Sequence, residues 1–417
     1  MYFIYRCLIN FIFILSPIII IYRILKGKEH YLRISERYAL SFKNKPNKRL
    51  IWIHASSIGE FNSILPLIEK FQKNKNIGSI LITTNTLSSA KLVEKLKLKK
   101  TIHQFFPLDT NLIINRFLNY WKPSALILCE SEIWPNLINN IKKRKIKLIL
   151  INARITPKAF KNWSKISSFA KNIFGKIDIC LSQNYETEKY LKLLGAKNIF
   201  NLGNLKYATS KSYFSEKLNK NLINYFNKKK ILLTSASIHL NEIDFSLLNH
   251  MHISKKLKIK NSISIIVPRH IERVKEIISK ADKLKLNYHL HSKKSKVPLN
   301  TEIYIVDTYG DLKKFYQISS LVFIGGSLIN HGGQNPLEAI KLDCKVIHGP
   351  NVGNFNDIFK TLKNIQLSSK FITYKQGFNL VEKSLRTSKK GNNSRKLIKY
   401  GNKVLKDVHK KVLKNII

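Results

Sequence analysis

Short apolar runs recur along the chain, and most are separated by stretches with the period of an amphipathic helix. Uninterrupted apolar runs of this length are typical of strands buried on both faces of a parallel sheet. In the first half, the predicted strands are residues 50–54, 80–84, 125–129, 147–152, 177–182 and 199–202. In the second half, they are residues 231–235, 263–267, 288–291, 302–306, 321–325 and 345–348. This alternation predicts two Rossmann-like α/β domains.

The boundaries of these domains follow from changes in composition. Residues 208–230 are polar, rich in Lys and Asn, and show no clear strand, so we interpret them as an interdomain connection. An N-terminal domain is then expected at residues 26–207 and a C-terminal domain at 231–391, followed by a basic helix at 392–417. Two such domains facing a central cleft form the architecture of GT-B glycosyltransferases.

The first 25 residues are strongly apolar, with an uncharged core from Cys7 to Tyr22 between Arg6 and Arg23. That core is slightly shorter than the roughly 20 residues that a spanning helix needs, although flanking arginines can extend it by snorkelling. No small-residue cleavage site follows. We therefore predict an uncleaved membrane anchor at residues 1–25, either spanning or lying in the interface, with the basic residues after it in the cytoplasm. The alternative is a buried core helix.

The formal net charge of +49, from 74 Lys+Arg against 25 Asp+Glu, points to an anionic partner. The lysines are spread along the whole chain, and the sharpest run, residues 142–145, is interpreted as a solvated helix end. The four cysteines lie far apart without metal-ligand spacing, which indicates reduced, mostly buried thiols and predicts no metal site.

Acidic residues follow two of the predicted strands in the first half. The run Trp52-Ile-His-Ala-Ser-Ser-Ile-Gly-Glu60 joins a strand to a helix, and Glu130-Ser-Glu132 directly follows the strand at 125–129. Ligands of open α/β sheets bind at such strand ends, and neighbouring carboxylates raise each other's pKa toward that of a general base. The alternatives are a helix-dipole role for Glu60, a helix-capping or dipole role for Glu132 and core packing for Trp134.

Cationic and glycine-rich segments follow other strands. Lys206 ends the first half, where it could hold an anion, and Arg269 has the planar fork that suits a phosphate. Tyr309-Gly-Asp311 precedes a short helix, and glycines at 325–326 and 332–333 permit close backbone approach. Pro336 is predicted as the first residue of a helix whose amides meet a phosphate, and Glu338 could accept from ribose hydroxyls. A plain loop is the alternative for the glycines.

Together these motifs resemble the 3-deoxy-D-manno-octulosonic acid (Kdo) transferases of lipopolysaccharide assembly, glycosyltransferase family 30. The matching segments are His54…Gly59-Glu60, Phe106-Pro-Leu-Asp109, Glu130-Ser-Glu-Ile-Trp-Pro-Asn-Leu137, Asn152-Ala-Arg154, Gly203-Asn-Leu-Lys206, Pro268-Arg-His270, Glu272-Arg273 and Asn335-Pro-Leu-Glu-Ala339. They cover nearly the whole chain.

The resemblance implies a metal-independent, inverting GT-B enzyme without a cofactor. Its donor would be CMP-Kdo and its acceptor the lipid A precursor (lipid IVA), at the cytoplasmic side of an anionic inner-membrane surface, with no nucleic-acid partner. Glu60 matches the family's general base, and Glu130 and Lys206 match positions that stabilise the transition state. The implied CMP-binding residues are Pro268, Arg269, Tyr309, Gly310, Asp311, Asn335, Pro336, Leu337 and Glu338.

Three segments depart from the family pattern. Ser237-Ile-His-Leu-Asn-Glu242 keeps the His and Glu but lacks the Thr and Gly of Ser-Thr-His-x-Gly-Glu, Gln334 replaces a His, and Ala208 stands where an Asp is common. These three departures leave the details of donor binding open. The rival interpretations are a membrane-bound GT-B enzyme that uses a nucleotide-diphosphate sugar and a basic nucleic-acid-binding protein. The second lacks an aromatic-interleaved basic patch and a recognised binding module.

Overall fold

The computed structural model describes residues 1–46, 48–208, 217–293, 295–387 and 393–416. The chain forms two compact units, Met1–Ser212 with Tyr400–Ile417, and Tyr213–Lys399. Part of the predicted connection, residues 209–216, lies outside the described residues. Residues 217–230 belong to the second unit, where Phe226 is buried against Tyr304 and Phe315.

The first unit contains a parallel sheet of seven strands among its described residues, in the order β3-β2-β1-β4-β5-β6-β7. The strands are β1 Leu50–His54, β2 Ser79–Thr84, β3 Thr101–Phe105, β4 Ala125–Cys129, β5 Lys147–Ala153, β6 Ile179–Ser182 and β7 Ile199–Asn201. The order reverses between β1 and β4, which pair directly with Trp52 opposite Leu126. Such a reversal opens a crevice at the carboxyl ends of the two strands, where ligands of this fold class bind.

Helices cover both faces of the first sheet. They are α1 Tyr2–Leu25, α2 Ile58–Lys73, α3 Leu87–Lys95, α4 Asn111–Trp121, α5 Pro135–Lys143, α6 Pro157–Ser164, α7 Ser167–Phe174 and α8 Tyr185–Leu193. Alternate β1 side chains enter opposite cores: Trp52 packs with α4 and α5 residues, whereas Ile53 packs with α2 residues. Burial on both faces explains why the strands are uninterrupted apolar runs.

The second unit repeats this architecture with a parallel sheet in the order β10-β11-β9-β8-β12-β13-β14. Its strands are β8 Lys230–Ile238, β9 Ser262–Pro268, β10 Tyr288–Leu290, β11 Ile303–Ile305, β12 Leu321–Ile324, β13 Lys345–His348 and β14 Ser368–Lys370. Its helices are α9 Lys220–Asn227, α10 Ile243–Lys256, α11 Val274–Lys283, α12 Leu312–Tyr316, α13 Leu337–Lys341, α14 Asn356–Asn364 and α15 Tyr374–Thr387. Here the order reverses at β8, which pairs with β9 and β12.

These two sheets confirm the predicted pair of Rossmann-like domains, and each of the predicted strands is present within a few residues of its expected bounds. Two strands were missed. The strand β3 reads Thr-Ile-His-Gln-Phe and edge strand β14 reads Ser-Ser-Lys, so neither has an apolar run. Because both lie at a sheet edge, their pairing does not require burial on two faces.

The last helix is α16 Asn393–Ile416, and from Tyr400 onward it belongs to the first unit. Its apolar side chains Val404, Leu405, Val408, Val412 and Ile416 are buried in the core shared with α2. Gly401 lies so close to the backbone that an added Cβ would be 2.3 Å from the carbonyl oxygen of Tyr207. The predicted basic helix at the C-terminus therefore packs on the N-terminal domain through its apolar face.

The N-terminal helix α1 is long and apolar enough to cross a membrane by length and composition, and 11% of its most apolar window is buried. It packs on the first unit with Ser16 and Ile20 buried and most other side chains exposed. A buried core helix, the alternative interpretation, does not fit this exposure.

Candidate functional site

Glu60 lies in the first turn of α2, at the carboxyl end of β1. Ser57 caps the helix: its hydroxyl accepts from the Glu60 amide at 3.3 Å and donates to Glu60 Oε1 at 3.1 Å. The Ser56 amide donates to Glu60 Oε2 at 2.8 Å. The carboxylate is therefore held at the start of the helix by capping bonds, and its place in the first turn is also the one that the helix-dipole alternative expects.

The same environment shifts the pKa of Glu60 toward the value that suits a general base. Partial burial, followed by the negative charges of Glu132 and Glu130, raises the pKa of Glu60 to about 7, against the opposing effect of the bonds from Ser56 and Ser57. A carboxylate with a pKa near neutrality can take a proton efficiently at neutral pH. Helix capping and general-base chemistry are thus compatible at this residue.

Glu130 and Lys206 come together in the first unit. Lys206 Nζ lies 2.7 Å from Glu130 Oε1, and the Glu130 side chain is buried. Asn152 connects the two segments, since its Nδ2 donates to Glu130 Oε1 at 3.4 Å and its Oδ1 accepts from the Leu205 amide at 2.9 Å. Asn152, which belongs to the family-like segment 152–154 but had no predicted role, therefore positions this ion pair.

Glu132 has an unexpected partner. His54, fully buried at the end of β1, places Nε2 3.0 Å from Glu132 Oε2, and Trp134 Nε1 donates to the same oxygen at 2.8 Å. Burial alone would raise the pKa of Glu132, but the bonds from His54 and Trp134 outweigh it and hold that pKa below its ordinary value. Glu132 is thus a fixed negative charge beside Glu60. The capping or dipole alternative is wrong, because the N-cap of α5 is Trp134, without a side-chain cap bond, and the first turn of α5 contains no acidic residue.

The implied donor-binding segments follow the carboxyl ends of neighbouring strands in the second sheet. Pro268 ends β9, residues 309–311 follow β11, and residues 335–338 follow β12. The strand β8 lies between β9 and β12, and β9 pairs with β11. The second unit therefore gathers these segments at one edge of its sheet, around its own reversal of strand order.

Arg269 is exposed at this edge, with its amide bonded to the Ile238 carbonyl at 2.9 Å. Three imidazoles lie nearby: the His239 ring is 4.4 Å from that of His331 and 6.0 Å from that of His270, between centroids. Burial lowers the pKa of His239, and the charges of His331, His270 and Arg269 add to that effect. The edge thus offers cationic and neutral donors to a phosphate, although His331 was not singled out from the sequence.

Side chains of the segment Tyr309–Asp311 form hydrogen bonds with neighbouring residues of the second unit. Tyr309 is exposed and its hydroxyl donates to Glu272 at 3.3 Å, while Gly310 has a φ of +91°. The Asp311 carboxylate binds Lys314 Nζ at 2.6 Å and the Thr308 hydroxyl at 2.5 Å. Gly310 is thus the position in this segment where the backbone needs glycine.

Residues 335–338 differ from the prediction in two respects. The helix α13 begins at Leu337 and has five residues, so Pro336 precedes its first turn as the N-cap. The Leu337 amide is also taken, because it donates to Asn335 Oδ1 at 3.1 Å. Glu338 lies in the first turn, with Oε1 4.0 Å from Lys313 Nζ. This helix start therefore offers a phosphate fewer free amides than expected.

The Glu242 side chain binds the backbone amides of the glycine-rich loop at 325–328. The side chain is fully buried, and its two oxygens accept from the amides of Gly326, Ser327 and Leu328 at 2.7, 3.0 and 2.9 Å. It also accepts from the His239 amide at 3.0 Å. The expectation that this loop would present its backbone to a ligand is thus modified, because a protein carboxylate already occupies these amides.

Cys129, Cys180 and Cys344 are buried free thiols, and Cys7 is exposed on α1. The prediction of mostly buried thiols is confirmed. Across the described ranges, no group of three or more His, Cys, Asp or Glu side chains is arranged to hold a metal ion.

Two Rossmann-like domains with charged residues at the carboxyl edges of both sheets place the chain in the GT-B fold class. A solved UDP-GlcNAc 2-epimerase from Neisseria meningitidis has the same fold, with a TM-score of 0.58, 13% identity, and coverage of 88% of this chain and 100% of that one. Residues 32–209 match the family model described as 3-Deoxy-D-manno-octulosonic-acid transferase (kdotransferase).

Two curated relatives extend this similarity along the chain. The 3-deoxy-D-manno-octulosonic acid transferase of Rickettsia bellii is 34% identical over 95% of this chain and 94% of its own length. The protein of the same name from Haemophilus influenzae is 31% identical over 82% and 80%. The chain therefore belongs to the Kdo transferase family, which transfers Kdo in lipopolysaccharide biosynthesis.

Proposed function

We propose that this protein transfers Kdo from CMP-Kdo to the lipid A precursor lipid IVA, with release of CMP, at the cytoplasmic face of the inner membrane. The observation that carries the proposal is the half-buried Glu60, whose pKa is raised to about 7 by burial and by two neighbouring carboxylates. A base of this kind suits the attack of a sugar hydroxyl, which is a poor nucleophile until its proton is removed.

In the proposed reaction, Glu60 accepts the proton of the acceptor's 6′ hydroxyl as that oxygen attacks the anomeric carbon of Kdo. The bond between that carbon and the phosphate oxygen of CMP breaks, and CMP leaves with the electron pair. Attack on the face opposite the leaving group inverts the anomeric configuration. One base is enough for this single displacement, so no covalent intermediate with the protein is required.

Lys206 and Glu130 are proposed to stabilise the transition state. An ammonium group in a partly buried site interacts strongly with negative charge that develops as the phosphate leaves, since little water screens it. The 2.7 Å contact with Glu130 fixes the position of Lys206, and Asn152 supports both residues. A fixed ammonium needs no reorganisation during the reaction.

The donor is proposed to bind at Pro268, Arg269, Tyr309, Gly310, Asp311, Asn335, Pro336, Leu337 and Glu338. Arg269 is exposed and suits the single phosphate of CMP as a planar, doubly hydrogen-bonding cation. The carboxylates of Asp311 and Glu338 can accept from ribose hydroxyls. This assignment requires no metal, because cationic side chains can receive the charge of a monophosphate leaving group.

The membrane location is supported by α1, whose exposed face is almost wholly apolar, and by basic residues directly after it. Positively charged flanks remain on the cytoplasmic side. An acceptor with two phosphates and acyl chains resides in the same membrane, so a membrane-bound basic enzyme can reach it without extracting it.

The test is CMP release by the purified, detergent-held protein with fresh CMP-Kdo and lipid IVA, with the product mass measured. Glu60→Gln is expected to fold and bind CMP but to lose transfer by at least about 100-fold, the typical contribution of a general base. Glu69→Gln, the same change further along α2, is the matched control and should stay active. Unchanged turnover in Glu60→Gln would refute the assigned base, and transfer only from nucleotide-diphosphate sugars would refute the donor.

A further inference from the structure

The exposed and covered positions of α1 form a regular pattern. The covered positions are Tyr2, Tyr5, Ile9, Phe13, Ser16, Ile20, Arg23 and Ile24, and all other positions of this helix are exposed. Steps of three and four residues place the covered side chains in one stripe along the entire helix. The first domain therefore lies along α1 from its first turn to its last.

Specific contacts hold this stripe at the N-terminal end. The Tyr5 hydroxyl donates to Asp109 Oδ2 at 2.6 Å, and the Tyr2 hydroxyl donates to Asn136 Oδ1 at 2.9 Å. Asp109 also accepts from the Asn136 and Leu137 amides at 3.0 and 2.8 Å. The first turn of α1 is thus bonded to the loop after β3 and to the start of α5, at the carboxyl edge that also carries Glu60 and Glu130.

Contacts continue to the other end of the helix. Ser16 Oγ lies 2.8 Å from the Tyr38 hydroxyl, and Phe13 packs on the Tyr38 ring with centroids 6.0 Å apart. Arg23 Nε donates to Glu29 at 3.0 Å, and Glu29 in turn binds Arg37 at 2.7 Å. Both ends of a helix about 36 Å long are therefore attached to the same domain.

The opposite side of α1 is exposed to solvent in the part of the chain that the structure describes, and it is almost entirely hydrophobic. Its exposed apolar residues are Phe3, Ile4, Leu8, Phe11, Ile12, Ile14, Leu15, Ile18, Ile19, Ile21, Tyr22 and Leu25. An apolar surface of this extent is unfavourable in water and marks a contact with another apolar phase. The cationic residues Arg6, Lys26 and Lys28 border it, which matches an anionic lipid surface in charge.

We propose that α1 does not span the bilayer but lies in the plane of the cytoplasmic leaflet, with its exposed face among the lipids and its covered stripe on the domain. A spanning orientation would carry the domain edge bonded to Tyr2 and Tyr5 into the hydrocarbon core, which is unfavourable for polar backbone and side chains. In the planar orientation, the sheet edge with Glu60 and Glu130 is held at the membrane surface. This inference rests on the proposed membrane location.

The side of the membrane on which the amino terminus lies distinguishes the two orientations. The full-length chain carries Cys7→Ser and one cysteine in a short extension before Tyr2, and Lys28→Cys in the same background serves as the matched control. A membrane-impermeant maleimide is applied to spheroplasts and to inverted inner-membrane vesicles. We expect both cysteines to react in inverted vesicles and neither in spheroplasts. If the N-terminal cysteine reacted in spheroplasts and not in inverted vesicles, the planar orientation would be overturned.

Attachment of the helix to the domain is tested in the same membranes. Ser16→Cys with Tyr38→Cys should be joined by a short bismaleimide, whereas Ile18→Cys on the exposed face, with Tyr38→Cys, should not. Equal cross-linking of the two pairs, or none for the first, would overturn the docked geometry.

Flotation separates this inference from membrane binding as such. The purified protein should float with phosphatidylethanolamine–phosphatidylglycerol vesicles, and Ile14→Glu with Ile18→Glu should reduce the floated fraction severalfold. Failure of the unmodified protein to float would overturn both the membrane location and the planar helix. If the protein floats but its N-terminal cysteine is labelled in spheroplasts, the planar orientation is overturned and the membrane location stands.

Discussion

Lys206 Nζ lies 2.7 Å from Oε1 of the buried Glu130, so two residues from separate segments of the first domain form an ion pair. The strand β4 ends directly before Glu130, and Lys206 lies in the short 3-10 helix at Leu205–Tyr207. Glu130 itself adopts a left-handed backbone conformation, with φ +55°. A buried pair held in an unusual backbone geometry is a feature that functional sites retain at a cost in stability.

This pair predicts a stability effect and an activity effect that can be separated. Lys206→Met leaves the Glu130 carboxylate buried without its cation and should reduce the free energy of unfolding by about 1–3 kcal/mol. Glu130→Gln with Lys206→Met should recover part of that loss, since no uncompensated charge remains. Urea titration measures the recovery in a double-mutant cycle. Additive losses in unfolding free energy would show that the two side chains act independently. Kdo transfer should stay low in Lys206→Met and in the double variant, whatever their stability.

The pKa of Glu60 predicts the pH dependence of transfer. A general base acts in its ionised form, so kcat/KM should rise with pH through about 7 and level off above it. Glu132→Gln removes a neighbouring negative charge, which should lower the pKa of Glu60 and shift the rise to lower pH. Glu94→Gln, in the same domain on α3, should not shift the profile. A profile that is flat between pH 6 and about 8 would contradict this role for Glu60.

Glu242 predicts a linkage between folding of the second domain and nucleotide binding. Glu242→Gln replaces a carboxylate oxygen that accepts buried amides by an amide group that cannot accept, leaving Gly326 or its neighbours unpaired. We expect a loss of about 1–3 kcal/mol in unfolding free energy and weaker CMP binding. Thermal unfolding and CMP titration by calorimetry measure the two effects.

The control for that variant is Glu276→Gln, which removes an exposed pair with Arg273. Exposed ion pairs contribute little, so neither measurement should change. If Glu242→Gln bound CMP as tightly as the unmodified protein does, the loop at 325–328 would not be part of the donor site.

Gly401 predicts a packing requirement on α16. A Cβ at this position would lie 2.3 Å from the Tyr207 carbonyl oxygen, so Gly401→Ala must displace the segment that carries Lys206. We expect a loss of about 1–3 kcal/mol, typical of overpacking, and reduced transfer. Gly353→Ala, where no atom lies within 4 Å of the added Cβ, is the matched control and should leave the melting temperature nearly unchanged. Equal melting temperatures for both variants would contradict the close approach.

The sequence by itself determined the two parallel sheets and the positions of charged residues at their carboxyl ends. Strands such as β1 and β4 are apolar on both faces, and this local pattern specifies a buried parallel strand without knowledge of its neighbours. Glu130 could be singled out because it follows such a strand directly, and Glu60 because it lies at the turn that joins such a strand to a helix. The polar edge strands β3 and β14 were missed for the converse reason, since pairing at an edge leaves little trace in composition.

Only the tertiary structure decided which of these groups meet. The bond between His54 and Glu132, the capture of the 326–328 amides by Glu242, the return of α16 to the first domain and the attachment of α1 through Tyr5 and Asp109 all join residues distant in sequence. Periodicity reports which face of an element is apolar, but it does not report the partner that covers that face. Partner choice depends on packing and polar pairing across the whole fold, which no local window of sequence contains.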